Sequence, residues 1–363
     1  MADFYDDHHS LVNVSNSLLK YFSVPTFHET DSVVDSILMK NPRRKVCVIL
    51  LDGFGKYIQE RYSSFCPFIH SHVLGEITSV FPPTTVAATT SLLTGRYPNE
   101  NGWVGWTQKF DIYPCPLVMF HNCLDDGSQL KVETTADELC PKEDIFSLIR
   151  KQGYRADEIQ SFKYPEDDIP SYFHRASKLV AANDFSYVYH TSPDGEMHEF
   201  GVDGKEIAPL IASLDKAVMN LVNENPDTLF LLLADHGHRN AKYFEIEEHE
   251  DFFSLLEEKY YAIEARAASF FVKEGKKEEF LSLAKKYYGE HFYIFTGEEV
   301  LSKDIFGHGE NSPRLFETIG DFLLVSKDES AFFNPCGHKL LSTHAGTSLE
   351  ERMINLSFFN LKK

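Results

Sequence analysis

Acidic and histidine side chains follow three apolar stretches of the sequence, each at the point where the stretch ends. They are Asp52 after VCVILL, Asp194 and His198 after FSYVYH, and Asp235 with His236 after LFLLLA. Short apolar runs of this kind are typical of strands buried on both faces, and ligand sites gather at the carboxyl ends of such strands. Carboxylate and imidazole groups that meet there are ligands for divalent metals. The spacing therefore predicts a centre for two metal ions.

Each of these clusters also has an ordinary structural explanation. Asp52 opens the turn DGFG, and aspartate is a common turn former. Asp194 and His198 are four residues apart, so one helical turn would direct both at one ion, with a solvent-facing loop as the alternative. The adjacent pair Asp235 and His236 is harder to explain without a ligand, because two polar groups at the end of a buried strand each need a partner.

Other histidines are less informative, since the chain has 16 of them. His344 lies in the small-residue turn STHAG, which permits close backbone approach to a site, and the other clusters make it a ligand candidate. His238 could support the ligands from behind, but the sequence gives it no role. The remaining histidines without a role include His72, His190, His308 and His338.

Thr85 is the candidate nucleophile, because it opens a predicted helix directly after the pair Pro82–Pro83. A helix N-terminus presents free amides and a partial positive charge, which suit a phosphate group. A threonine hydroxyl beside a metal centre can act as a nucleophile. The alternative is that Thr84 or Thr85 only caps the helix.

Strand and helix patterns alternate along the chain. Predicted strands are 45–51, 77–81, 185–190, 228–234 and 354–359, with a further strand near Tyr154, and predicted helices are 84–94, 145–153 and 207–222, with another from Lys56 onward. Ser348 and Glu351 form a capping box that predicts a further helix start. This alternation predicts an α/β fold, a three-layer α/β/α sandwich with a mostly parallel sheet.

Two stretches interrupt the alternation. Residues 107–141 are polar and irregular and predict a long loop near the site, and residues 246–313 carry charged helical segments at 252–260 and 277–288 around the apolar run 268–272. The second stretch predicts a small inserted α/β cap, after which the main sheet resumes at 322–325. The predicted division is therefore a hydrolase core at 1–245, a cap at 246–319 and the return of the core at 320–363.

Composition excludes some functions and leaves others open. The chain has 363 residues, 43% of them hydrophobic, and a net charge of −20, which argues against a protein that coats nucleic acid. The six cysteines form no C-x-x-C pair, and Cys47 lies in an apolar strand as a small buried residue. The start lacks the pattern of a signal peptide, and the apolar runs are too short to span a membrane. These features predict a cytoplasmic protein that does not act at a membrane.

The motifs VILLDGFG, PPTTVAATTSLLTGRYP, PDGEMHEFG, ADHGH and STHAG occur in this order between Asp52 and His344. In type and order they resemble the alkaline phosphatase superfamily, and most closely its type I phosphodiesterase/nucleotide pyrophosphatase family. The resemblance implies a two-metal phosphoester hydrolase that acts on a small phosphorylated substrate.

By the same resemblance, Thr85 is the nucleophile and forms a phospho-threonine intermediate that water then hydrolyses. One metal is held by Asp52, Thr85, Asp235 and His236, and the other by Asp194, His198 and His344. Zinc is the implied metal, and manganese or iron is compatible with the same ligands.

One position departs from the family pattern. The family places a phosphate-binding asparagine about twenty residues after the nucleophile, and here that position is Trp106. Trp103 and Trp106 could form an aromatic wall for a flat leaving group, but packing in the core is the favoured interpretation. A phosphomonoesterase or phosphonate hydrolase of the same superfamily is the alternative function. An iron enzyme built on Asp194, His198 and His344, or a metal-binding protein without activity, ranks lower.

Overall fold

The computed structural model describes residues 4–42, 44–126, 131–333 and 339–360, and the elements below belong to these ranges. The strands are β1 (Lys45–Leu51), β2 (Val73–Thr78), β3 (Thr107–Gln108), β4 (Leu117–Val118), β5 (Cys123–Leu124), β6 (Ala156–Gln160), β7 (Phe185–His190), β8 (Thr228–Leu233), β9 (Arg239–Asn240), β10 (Lys242–Glu245), β11 (Ala262–Glu264), β12 (Ala267–Phe270), β13 (Phe292–Thr296), β14 (Phe322–Ser326), β15 (Ser330–Phe333), β16 (Ser342–Thr343) and β17 (Met353–Phe359). The helices are α1 (Leu11–Tyr21), α2 (Ser32–Lys40), α3 (Lys56–Arg61), α4 (Pro67–His70), α5 (Thr85–Thr94), α6 (Pro98–Asn101), α7 (Ala136–Leu139), α8 (Ile145–Lys151), α9 (Ile169–Ala182), α10 (Asp194–Phe200), α11 (Ile207–Glu224), α12 (Glu250–Phe253), α13 (Lys277–Tyr288), α14 (Gly297–Ser302), α15 (Leu315–Ile319) and α16 (Leu349–Arg352).

The main sheet has six strands in the order β2-β17-β8-β1-β7-β6. The strands β8, β1, β7 and β6 pair in parallel, and only β17 runs against its neighbours. The central strands are apolar along their whole length, since each is covered on both faces. The predicted α/β fold with a mostly parallel sheet is confirmed.

The strand register brings the predicted ligands to one edge of this sheet. Leu51 at the end of β1 lies opposite His190 at the end of β7, and Leu50 lies opposite Leu233 at the end of β8. The residues that follow these three strands therefore leave the sheet side by side.

Helices cover the main sheet in two groups, with α1 packed on α5 and α9 packed on α11. Their apolar faces and the central strands form one continuous core, in which Cys47 is fully buried as expected. Gly95 ends α5 in the left-handed conformation with φ of 69°, which glycine adopts without strain. The capping box of Ser348 and Glu351 is also present at the start of α16.

A second sheet of seven short strands has the order β13-β14-β12-β11-β3-β4-β5. All of its pairs are antiparallel, and three of its strands come from the stretch 107–141 that the sequence predicts as a loop. The expectation that 322–325 returns to the main sheet is wrong, because β14 pairs with β12 and β13. The division of the chain at 245 and 319 stays a prediction.

Two predicted elements differ in the structure. The strand predicted at 77–81 is instead Val73–Thr78, an edge strand that is half exposed and ends before the proline pair. The helix predicted at 252–260 is limited to Glu250–Phe253. Beyond it Leu256 bridges to Val272, and the Glu257 amide donates to the Phe271 carbonyl at 2.9 Å, so pairing with the second sheet replaces the helix.

Among the helices in the described parts of the chain, none combines the length and the apolar character needed to cross a membrane.

Candidate metal centre

The predicted ligands lie on short turns that follow the central strands. Asp52 directly follows β1, Asp194 begins α10 after β7, and Asp235 and His236 follow β8. His344 directly follows β16. The structure thus brings residues from distant parts of the chain to one carboxyl edge of the sheet.

Two glycines allow these turns to approach each other. A Cβ atom on Gly55 would lie 2.6 Å from the Cα of Gly237, and a Cβ on Gly237 would lie 2.0 Å from the carbonyl oxygen of Glu350. A side chain at Gly55 would therefore push apart the turns that carry Asp52 and His236, and one at Gly237 would push the His236 turn away from α16.

Thr85 is the first residue of α5, and its hydroxyl faces the predicted ligands. Its Oγ1 lies 3.1 Å from His236 Nε2 and 3.4 Å from Asp52 Oδ1. Thr84 is the N-cap residue by its backbone angles, yet its hydroxyl donates to Glu264 at 2.5 Å and makes no capping hydrogen bond. Neither threonine hydroxyl therefore serves the helix as a side-chain cap.

Asp52, Asp235 and His236 form one group that could hold a metal ion. His236 Nε2 lies 3.4 Å from Asp52 Oδ1 and 3.5 Å from Asp235 Oδ2. The other Asp52 oxygen accepts a hydrogen bond from the Tyr189 hydroxyl, and Asp235 Oδ1 accepts from the Gly53 amide at 3.0 Å. Asp235 Oδ2 is buried and has no hydrogen-bond partner among the described residues, which is the expected state of an oxygen reserved for a cation.

Asp194, His236, His238 and His344 form a second group that could hold a metal ion. Asp194 Oδ1 lies 2.5 Å from His238 Nε2, 3.4 Å from His198 Nε2 and 3.8 Å from His344 Nε2. The two groups adjoin, because the His236 and His344 rings stack with centroids 3.8 Å apart.

The four imidazoles share one orientation. The Nδ1 atoms of His198, His236 and His344 lie 2.7, 3.1 and 3.2 Å from the carbonyl oxygens of Ser342, Gly237 and Pro83, in that order. A carbonyl oxygen only accepts, so each Nδ1 carries the proton and each Nε2 presents a lone pair.

His238 follows the same pattern through a hydroxyl. Its Nδ1 lies 3.1 Å from Ser342 Oγ, and that hydroxyl already donates to the Met197 carbonyl at 2.6 Å. Nδ1 is therefore the donor, and the Nε2 lone pair faces the Asp194 carboxylate at 2.5 Å. Two acceptors at this distance require a proton or a metal ion near both, and buried imidazoles held by a hydrogen bond at Nδ1 are typical of metal ligands.

The electrostatics of the site also suit cations. Burial, and then the neighbouring Asp235 and Asp194 carboxylates, raise the pKa of Asp52 well above its ordinary value. Burial lowers the pKa of His344 and lowers the pKa of His238 to about 4, so both rings are neutral at pH 7, as a metal ligand must be. Crowded carboxylates and neutral imidazoles in a buried site fit divalent metal ions.

Sequence reasoning left His238 without a role, yet the structure places it against Asp194. The available signal was its position two residues after His236 in DHGH, where a turn at Gly237 returns the side chain to the site. Among the other histidines, His190 is buried with a pKa lowered by burial to about 4, His72 is partly buried, and His308 is exposed. His338 lies outside the described residues.

A pocket of about 390 Å³ opens from the centre and includes Thr85, Asp194, His198 and His344.

Trp103 is buried in the core as expected, and its indole donates to the Cys140 carbonyl at 2.9 Å. The core expectation is wrong for Trp106, which is 37% exposed and lines the pocket.

The sequence matches a known protein family over most of its length. Residues 46–157 and 116–348 match the profile described as type I phosphodiesterase / nucleotide pyrophosphatase. A comparison with curated proteins gave no match.

Solved structures of low sequence identity share the fold. Murine ectonucleotide pyrophosphatase / phosphodiesterase 5, as an inactive threonine-to-alanine variant in complex with AMP, has a TM-score of 0.66 at 16% identity, with 88% of each chain covered. The human protein of that name gives 0.66 at 15% identity, with 87% of this chain and 88% of that chain covered. Phosphonoacetate hydrolase from Sinorhizobium meliloti 1021, in complex with phosphonoformate, gives 0.65 at 15% identity, with 88% and 91% covered.

Proposed function

The chain belongs to the type I phosphodiesterase / nucleotide pyrophosphatase family, and on that premise we propose that it hydrolyses a small phosphoester at a two-metal centre with Thr85 as the nucleophile. Membership places it among the metal-dependent phosphoric ester hydrolases. The observation that carries the proposal is the shared orientation of four imidazoles, three of them buried and His198 partly exposed, whose Nε2 lone pairs converge beside Asp52, Asp194, Asp235 and the Thr85 hydroxyl.

These contacts support the ligand sets that we propose. Asp52, Thr85, Asp235 and His236 would hold one ion, and Asp194, His198 and His344 the other, with His238 as an additional group beside Asp194. Bound divalent metals would supply Lewis acidity to the Thr85 hydroxyl and neutralise charge on the phosphoryl oxygens. Zinc fits a set of imidazoles and carboxylates, and manganese is compatible with it.

Thr85 performs the bond-making step. Its Oγ1 gives its proton to solvent and forms a bond to phosphorus, while the bond from phosphorus to the leaving oxygen breaks and the leaving group departs with that electron pair. The phospho-threonine that results is hydrolysed when a water oxygen attacks the same phosphorus. The bond from phosphorus to Oγ1 then breaks with its electron pair on Oγ1, and a proton of that water restores the Thr85 hydroxyl. The position of Thr85 at the first turn of α5 suits this step, because the partial positive charge of the helix N-terminus stabilises the anionic phosphoryl group. The inactive murine neighbour, which carries alanine in place of a threonine, supports the same assignment.

The pocket supports an ester rather than a carboxylated phosphonate as substrate. A substrate such as phosphonoacetate carries a second anionic group, and none of the described residues that line the pocket is a lysine or arginine. The family pattern favours a diester, with a monoester as the alternative. The identity of the metal and a cytoplasmic location stay predictions.

The experiment is a parallel assay of purified protein, loaded with zinc or with manganese, on aryl diester, aryl monoester, nucleotide and phosphonate substrates. We expect two metal ions per chain by elemental analysis and turnover of at least one ester class. One iron per chain would favour oxygen chemistry instead, and two zinc ions with no turnover of any ester would favour a metal-binding protein without activity.

A further inference from the structure

The wall of the pocket combines aromatic rings with two acids. The rings belong to Trp106, Tyr243, Tyr261, Phe332 and Phe333, and the acids are Asp125 and Glu264. Among the described lining residues the only groups that carry charge are therefore carboxylates and the histidines of the metal centre. The described part of this wall has no lysine or arginine that could neutralise an anion, whereas its rings and carboxylates can stabilise a cation.

Glu264 is fixed next to the nucleophile. Its Oε1 accepts from the Thr84 hydroxyl at 2.5 Å and from the Trp106 amide at 3.0 Å. Trp106 occupies the position where the family pattern has a phosphate-binding asparagine, so at this point the chain presents a carboxylate to the pocket and no amide side chain. A fixed carboxylate would repel a second phosphate group on the substrate.

Tyr261 lies close to both acids and to another aromatic ring of the wall, Tyr243. Its hydroxyl donates to the Phe332 carbonyl at 3.1 Å. Burial, and then the nearby Tyr243, Glu264 and Asp125, raise the pKa of Tyr261, so both acids lie within electrostatic reach of one ring. The Tyr243 and Phe333 rings meet edge to face with centroids 6.1 Å apart.

Among the described residues that line the pocket, there is no lysine or arginine to pair with either acid. Burial raises the pKa of Glu264 to about 7, and burial together with Asp126 raises the pKa of Asp125 to about 6. A cation bound in the pocket would favour the charged form of both acids, and aromatic faces stabilise organic cations directly.

We propose that this pocket receives a positively charged organic group of the substrate, an amine or a quaternary ammonium, carried on the phosphoester that Thr85 attacks. The inference rests on the proposed function and adds the class of substrate to it. A nucleotide base stacked on Trp106 would be the competing occupant.

The test uses two aryl phosphodiesters of the same shape, the p-nitrophenyl ester of phosphocholine and that of 3,3-dimethylbutyl phosphate, in which carbon replaces the charged nitrogen. We expect kcat/KM to be at least about 10-fold higher for the charged ester. Glu264→Gln should reduce this ratio several-fold, whereas Glu317→Gln, which removes an acid paired with Arg314 outside the pocket, should leave the ratio unchanged. Unchanged thermal melting of Glu264→Gln would show that the variant folds.

Calorimetric titration of the zinc-loaded protein with phosphocholine and with 3,3-dimethylbutyl phosphate measures the same preference without turnover. Equal affinities, or equal kcat/KM for the two esters, would overturn the proposal. A thymidine 5′-phosphate p-nitrophenyl ester that is turned over faster than both would overturn it in favour of base stacking. Tighter binding of phosphocholine without turnover of any ester would support the cation pocket and contradict only the proposed hydrolysis.

Discussion

Arg266 and Glu351 form a fully buried ion pair that joins the second sheet to the loop that carries His344. Arg266 Nε lies 2.6 Å from Glu351 Oε1, and Arg266 Nη2 lies 2.8 Å from Oε2. Arg266 also donates to the Ser330 carbonyl at 2.9 Å, and Glu351 Oε1 accepts from the Gly346 amide at 2.7 Å. Gly346 follows His344 by two residues, so this pair holds one candidate ligand in place from outside the metal centre.

Loss of one partner should destabilise the protein strongly. Arg266→Met leaves the Glu351 carboxylate buried without its cation, and we expect a loss of about 3–5 kcal/mol in the free energy of unfolding. Urea denaturation in the absence of added metal measures it. Arg239→Met is the matched control, because the pair of Arg239 with Glu350 is partly exposed and should contribute at most about 1 kcal/mol. Equal effects of the two substitutions would contradict the role of the buried pair.

The same pair predicts a specific sensitivity to acid. Burial by itself would raise the pKa of Glu351. Arg266 and the hydrogen bonds from Ser348 and Gly346 outweigh burial, so the pKa of Glu351 is lower than its ordinary value. A carboxyl group whose pKa is lower in the folded state stabilises the fold fully when the pH is above its pKa in the unfolded state, about 4.3 for glutamate. That contribution is lost as the pH falls through the pKa of the folded state. The difference in unfolding free energy between wild type and Glu351→Gln should therefore shrink below about pH 4. A difference that grows with acidity would contradict this sign.

Tyr189 and Tyr187 provide a matched pair on the same strand. Both side chains are buried, but the Tyr189 hydroxyl donates to Asp52, whereas the Tyr187 hydroxyl has no hydrogen-bond partner in the described part of the chain. Tyr189→Phe should weaken zinc binding by about 10–100-fold, because groups that orient a ligand tune its affinity. Tyr187→Phe should leave zinc binding unchanged. Competition with a chelating dye measures both, and similar affinities in the two variants would remove Tyr189 from the metal site.

His238 should contribute to the affinity for metal, although the sequence gives it no role. His238→Ala removes the imidazole 2.5 Å from Asp194, and we expect weaker binding of one of the two ions by about 10–100-fold. His308→Ala, which removes a half-exposed histidine paired with Asp7, is the control. Unchanged stoichiometry and affinity in His238→Ala, measured by titration and elemental analysis, would make His238 a structural residue.

The ligands at strand ends could be predicted from the sequence because parallel strands bring their carboxyl ends to one edge. Tyr189 could not, since it lies inside the strand FSYVYH and resembles any buried aromatic residue. Glu264 is 180 residues from Thr84 and reaches it only through the packing of the second sheet on the first. The segment 252–260 has a helical pattern, but its pairing with residues near Val272 decides its structure. The apolar strand patterns therefore predict where the metal ligands lie, whereas the pocket wall depends on contacts between residues that are distant in sequence.

The most direct test of Thr85 as the nucleophile is the kcat/KM of Thr85→Ala on the best ester substrate, measured together with its zinc content. We expect kcat/KM to fall by at least about 1,000-fold while the zinc content stays close to that of wild type, because the nucleophile is lost and three other ligands of its ion remain. Thr94→Ala is the control, since the Thr94 hydroxyl lies at the other end of α5, where it donates to the Thr90 carbonyl and accepts from the Arg96 amide. A Thr85→Ala enzyme with full zinc content and activity within about 10-fold of wild type would show that Thr85 is not the nucleophile.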